Sequence, residues 1–231
     1  MTGHTYKQFT TELEEIRSGV LQMGGLVEAQ VTNALEGLRT GNLPLLDQVI
    51  DGDQRINLMQ KQLDDACNHI VAMRQPAAVD MRLVMTVIRS VADLERIGDE
   101  AKKIAKSAKR LYSTELKFAP HIDLSQAGQA ALAMLHSALD AFARADASIA
   151  PRIERQDAEV DASFKAIMRQ LITYMMEDPR TITSSLELLF NAKAIERIGD
   201  HAMNVAEYVV FLAQGEDVRY AKAEAQNSEK S

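Results

Sequence analysis

At 231 residues with 46% apolar composition, the chain has room for one or two domains and enough apolar side chains to bury a substantial core, which excludes global disorder. Its formal charge of −7 excludes a general nucleic-acid binder, which needs a basic footprint, and an excess of carboxylates suits a hard cation instead. Only 5 Pro and 11 Gly, no Trp, and abundant Ala, Leu, Met and Glu favour an all-α protein, while the lone Cys67 excludes an intramolecular disulfide, suits a reducing cytosol and reads as an inert helix-face residue.

Residues 1–11 are polar and lack the basic and apolar regions of a signal peptide, and no apolar run approaches the roughly 18 residues of a membrane span, so a soluble, cytoplasmic protein is expected. Leu13, Ile16, Val20, Met23, Val27, Val31, Leu35 and Leu38 recur at spacings of three and four and predict one long amphipathic helix over 6–39. Thr40-Gly41-Asn42-Leu43-Pro44 closes it, because Gly is the favoured residue just past a helix end and Pro is tolerated at a helix start. A second helix is predicted over 44–74, interrupted by Gln75-Pro76, and a third over 77–111. Residues 118–121, with Pro120, form the best linker candidate; helices over 124–145, 148–177 and 180–213 follow, with Asp178-Pro179 as a turn signal and Gly215 as the last stop. The polar residues after the last helix are expected to be disordered.

Glu95-Arg96-Ile97-Gly98-Asp99 in the third predicted helix returns unchanged as Glu196-Arg197-Ile198-Gly199-Asp200 in the sixth. Earlier correspondences share one constant offset: Ala34-Leu35-Glu36 with Ala138-Leu139-Asp140, and Asp53, Ile56 and Asn57 with Asp157, Val160 and Asp161. The chain therefore reads as an internal duplication of two tandem three-helix units, with expected boundaries at 1–117, 118–215 and a tail at 216–231.

On a helix, the Glu and Asp of each word share one face, where two like charges destabilise an isolated helix by a few tenths of a kcal/mol, and the mid-helix Gly costs about 1 kcal/mol relative to Ala. Both penalties recur at the same register. Asp157 and Asp161 form a further i, i+4 carboxylate pair, and Asp53 with Asn57 is its degenerate counterpart. Brought together by neighbouring helices, such faces offer oxygen ligands without nitrogen or sulfur, a set that selects Mg²⁺, Ca²⁺, Mn²⁺ or ferric iron. Candidate metal ligands are Glu95, Asp99, Asp53 and Asn57 in the first unit and Glu196, Asp200, Asp157 and Asp161 in the second. Asn57 makes the first set less anionic, so weaker binding is expected there. A plainer arrangement is also open: Glu and Asp face water, Arg pairs with them, and Gly admits a neighbouring helix.

No Glu has a His three residues later, which speaks against a ferritin-type di-iron site. The histidines are scattered, and His201 is expected to be a partly exposed helix residue. No catalytic triad order, P-loop or glycine-rich phosphate motif is present. Lys102, Lys103, Lys106, Lys109 and Arg110 end the third helix, where they complement its dipole on a solvated face; docking to a membrane surface or acidic partner is the alternative.

The doubled Glu-Arg-Ile-Gly-Asp word followed by Glu100-Ala101 and His201-Ala202, together with the runs Phe9 to Arg17, Met23 to Glu28 and Asp178 to Glu207, resembles the PhoU family over most of the chain. That resemblance implies six helices in two pseudo-symmetric three-helix bundles. It implies metal clusters, iron in some members, held by paired carboxylate motifs that correspond here to Glu95 and Asp99, Glu196 and Asp200, Asp157 and Asp161, and Asp53, with Asn57 where a further carboxylate would stand. It also implies a non-enzymatic cytoplasmic adaptor, dimeric or larger, peripheral to the membrane through its partners. Such an adaptor links the ATPase subunit of a phosphate ABC transporter to a phosphate-sensing histidine kinase, restrains phosphate uptake and holds the phosphate-starvation response off. A carboxylate-bridged metal-storage or metal-dependent hydrolytic protein is the alternative.

Overall fold

Apolar residues three and four apart make long helices that must bury one stripe, and the computed structural model, which describes residues 2–113 and 120–216, shows six of them. They are α1 (Thr2–Thr40), α2 (Leu43–Arg74), α3 (Ala78–Ser113), α4 (Ser125–Arg144), α5 (Ala150–Glu177) and α6 (Ile182–Gln214). The tail expected beyond residue 216 and residues 118–119 of the expected linker lie outside the described residues.

The helix ends follow local chemistry. Gly41 adopts φ 69°, its N–H bonding the Gly37 carbonyl, and Asn42 then caps α2 by accepting from the Leu45 N–H at 3.2 Å. Two starts differ from expectation: short 3₁₀ turns, Ala147–Ile149 and Pro179–Thr181, precede α5 and α6. Asp146 and Asp178 cap these turns by accepting from the N–H groups of Ser148 and Arg180.

Helices α1–α3 pack into one bundle and α4–α6 into a second. The predicted α1 stripe is buried from Leu13 to Leu38 except for the half-buried Leu35, and Val84, Val87, Val91, Leu94, Ile97 and Ile104 of α3 close the first core. Met134, Leu135, Ala138, Phe142, Ile153, Val160, Ile195, Ile198, Ala202 and Val205 fill the second. The bundles meet where α3 packs on α6, the most extensive helix pairing in the molecule, with a smaller crossing of α1 on α4. The two helices that carry the repeated word are therefore neighbours. Cys67 is fully buried, and burial, aided by nearby Asp64, pushes its thiol up to about 12, which leaves it unreactive. No helix among the described residues is long and apolar enough to cross a membrane.

Candidate metal centre and the seam beside it

In the second bundle, the i, i+4 spacing of Glu196 and Asp200 on α6 aims both at α5, and Asp161 meets them there. Their ligand oxygens all lie within 4.8 Å of one another. Among the described residues this is the one place where three such groups converge so closely. Glu196 is 9% exposed, and Lys193 Nζ lies 2.5 Å from both its Oε1 and its Oε2. Burial first, then the fields of Glu196 and Asp161, raise the Asp200 carboxyl above its ordinary range despite the opposing Lys193. Lys193 on Glu196 and Lys165, 3.8 Å from Asp161, supply opposing charge from the rim of the cluster. Asp157, the other carboxylate expected at this site, stands one turn back and faces Gly199: its Oδ1 is 3.8 Å from where a Cβ on that glycine would be. The structure thus brings three of the four expected side chains to one point and places the fourth beside the glycine.

In the first bundle, Glu95 and Asp99 of α3 face Asp53 of α2. Asp53 is 3% exposed; its Oδ2 accepts from Lys102 Nζ at 2.5 Å and from Asn57 Nδ2 at 3.3 Å, while Oδ1 has no hydrogen bond. Burial, then Asp99 and Asp53, raise the Glu95 carboxyl. Gly98 lets α2 close in, since a Cβ there would lie 2.9 Å from Ile56 Cδ1. Asn57 is exposed and spends its amide N–H on Asp53. Lys102 is only partly solvated: its ammonium pairs with Asp53 Oδ2, and its side chain is 27% exposed. Nor are its neighbours free. Lys103 bonds Glu100 at 2.8 Å, Lys109 bonds Asp47, and Arg110 forms a two-pronged pair with Glu187 of α6 at 2.7 and 2.8 Å.

A third feature has no counterpart among the sequence expectations. Thr86, Asp93, Glu100 and Ser107 of α3 are all buried, and each bonds α6. Thr86 bonds the Tyr208 carbonyl, and Ser107 bonds the Glu187 carboxylate at 2.7 Å. Arg197 reaches Glu100 at 3.4 Å. Asp93, 1% exposed, takes bonds from Tyr208 Oη and His201 Nδ1 at 2.8 Å each and from Asn204 Nδ2 at 3.3 Å. Burial pushes the Asp93 carboxyl upward, but the bonds from His201, Tyr208 and Asn204 outweigh it and leave it below the ordinary range. His201, partly exposed at 18% as expected, is also a member of this seam. The signal was present as four polar residues seven apart along α3, hence on one face. Next to the seam, Arg96, Asp99, Arg197 and Asp200 of the two words line one cleft of about 340 Å³ with Glu100, Lys103 and His201.

Two segments, residues 20–108 and 124–209, match the PhoU domain family, one in each bundle. The chain is 46% identical over 225 residues to the phosphate-specific transport system accessory protein PhoU of Serratia marcescens, covering 97% of this chain and 92% of the relative. It is 45% identical over 220 residues to the protein of the same name from Escherichia coli, covering 95% and 91% of the two chains. The crystal structure of PhoU from Pseudomonas aeruginosa superposes with a TM-score of 0.86 at 44% identity, covering 90% of this chain and 100% of that one. The phosphate transport system regulatory protein PhoU from Streptococcus pneumoniae gives a TM-score of 0.82 at 30% identity, with 90% and 98% covered. Duplicated word, paired three-helix bundles and near full-length similarity agree: the chain belongs to the PhoU family of phosphate-transport accessory proteins.

Proposed function

We propose that the protein is a cytoplasmic, non-enzymatic adaptor that restrains the phosphate-starvation response, linking the ATPase subunit of a phosphate ABC transporter to a phosphate-sensing histidine kinase, and that a hard metal ion bound at Asp161, Glu196 and Asp200 stabilises its second bundle. The observation that carries the metal reading is the convergence of the Asp161, Glu196 and Asp200 carboxylates, whose ligand oxygens lie within 4.8 Å of one another. An all-oxygen donor set fits Mg²⁺, Mn²⁺, Ca²⁺ or iron, and a bound cation would supply the charge that these side chains lack. With it in place, Asp161 and the α6 word tie α5 to α6, which stiffens the hairpin; Asp157 flanks the site.

The transporter link rests on the family and on the name its members carry, an accessory protein of the phosphate-specific transport system. A surface for partners is available on the same hairpin. Ile172 and Met176 on α5, and Ile182, Leu186 and Phe190 on α6, are exposed apolar side chains at four-residue spacing on helices joined by a short turn. Membrane association would come through such partners, and a homodimer is expected. The basic end of α3 is a poorer docking face than its sequence suggests, because most of its charges are matched within the chain.

Elemental analysis of protein purified without chelator, compared with Glu196→Ala/Asp200→Ala, tests the metal: the double variant should lose most of it, and equal content would sink the reading. The adaptor role is tested by alkaline phosphatase output from a deletion strain in ample phosphate. Output should rise; continued repression would remove the main support. Turnover of a phosphate ester dependent on Glu196 and Asp200 would favour a hydrolytic role instead.

A further inference from the structure

The cleft of about 340 Å³ beside the seam takes one arginine from each copy of the word, and its volume suits a small ligand. Both arginines hold donors in reserve. Arg96 reaches Asp93 at 3.5 Å and Arg197 reaches Glu100 at 3.4 Å, contacts at the long limit of a hydrogen bond, and their side chains are 60% and 50% exposed. Each guanidinium carries five N–H groups, so most remain unspent. His201 lines the same cleft, and the hydrogen on its ring can be placed. Asp93 is ionised at neutral pH, because its carboxyl is held below the ordinary range, and His201 Nδ1 lies 2.8 Å from it. An ionised carboxylate only accepts, so Nδ1 must carry the hydrogen. In the neutral ring Nε2, on the edge away from Asp93, is then a lone-pair acceptor, and it has no hydrogen bond among the described residues. Glu100, 4% exposed, is held by Lys103 at 2.8 Å. Asp99 and Asp200 also line the cleft and oppose an anion, which keeps the affinity modest.

We propose that this cleft binds inorganic hydrogen phosphate, held by the Arg96 and Arg197 guanidinium groups, with the ligand's P–OH donating to His201 Nε2. Two guanidinium groups match the charge of a dianion and their forks match its oxygens, while the bare acceptor nitrogen selects a ligand that keeps a proton. Near neutral pH inorganic phosphate keeps at least one. Sulfate has none, and a phosphate ester, whose second pKa is about 6, has lost most of its own. The site therefore separates anions of nearly the same shape by one hydrogen. Asp93 touches no ligand; it is a positioning residue that decides which ring nitrogen is bare. No metal takes part, so the proposal stands apart from the metal reading of Asp161, Glu196 and Asp200.

The test is calorimetric titration of the full chain at low salt, slightly alkaline pH and with chelator present. Phosphate should bind with a dissociation constant of about 1 mM or tighter. Sulfate and adenosine monophosphate should bind at least about tenfold more weakly, because neither brings the hydrogen that Nε2 accepts. Arg96→Gln and Arg197→Gln, both at well-exposed positions, should each weaken phosphate binding about tenfold. Asp93→Asn can offer an amide N–H to Nδ1 and so move the ring hydrogen to Nε2; the preference for phosphate over sulfate should then disappear. Absence of phosphate binding at about ten times the expected constant would overturn the proposal. So would sulfate or adenosine monophosphate binding as tightly as phosphate, arginine variants that bind like wild type, or an undiminished preference in Asp93→Asn. Should Asp93→Asn not fold, the anion comparison in wild type and the two arginine variants decide.

Discussion

Helices α3 and α6 carry the same five-residue word yet keep different company. Asp93 and Lys102 flank the first copy, whereas the corresponding places around the second hold Ala194 and Met203. Helix α3 therefore has both an acid that α6 satisfies and an ammonium that satisfies its own cluster. Helix α6 instead carries Lys193 beside Glu196, and its carboxylates converge with Asp161 more closely than any other three such groups among the described residues. A duplicated motif need not mean duplicated surroundings: residues outside the word decide which partners each copy meets.

The largest effect should come from the seam that only α3 builds. Asp93→Ala leaves Tyr208, His201 and Asn204 without their buried acceptor and should lower unfolding free energy by about 3 kcal/mol in urea titrations at neutral pH. Because the folded-state carboxyl is held below its unfolded value, its contribution is present above the ordinary carboxylate range and lost as pH falls through the folded value. The gap between wild type and variant should then shrink in acid; a gap independent of pH would show that the charge on Asp93 is irrelevant.

A second comparison pits equivalent acids against each other in chelated buffer. Asp53→Ala removes the partner of Lys102 and should destabilise by about 2 kcal/mol, while Asp161→Ala, which relieves repulsion, should change stability by less than about 0.5 kcal/mol. Equal losses would erase the distinction between the buried Asp53 pair and the converging second cluster. The smallest effect concerns the two glycines. Gly199→Ala meets only ordinary contacts, the nearest being Val160 Cγ1 at 3.5 Å, and should gain about 0.5–1 kcal/mol from helix propensity. Gly98→Ala must push Ile56 aside and should gain nothing by thermal melting. The reverse order would show that the spacing between α2 and α3 does not depend on the glycine.

Much of this was legible along the chain because it is local. The stripe from Leu13 to Leu38, the stop at Gly41 with the restart at Pro44, and the pairing of Glu196 with Asp200 follow from helical spacing and from what Gly and Pro permit. Lys102 was not, since a lysine in a basic run has the same local signature whether its flexible chain reaches water or bends into a cleft. The seam was also hidden, although Thr86, Asp93, Glu100 and Ser107 recur every seventh residue. Polar residues on a helix are ordinarily solvated, and only another helix laid over them makes them interior.

By itself, then, the sequence determined the number and length of the helices, the duplication, and which carboxylates share a helical face, because these depend on periodicities within one segment. Only the tertiary structure decided that α3 lies against α6, that Asp161 rather than Asp157 meets Glu196 and Asp200, and that Lys102 pairs with Asp53. Those outcomes depend on distances between segments far apart in the chain, where a single helical turn of difference in register changes which side chains meet.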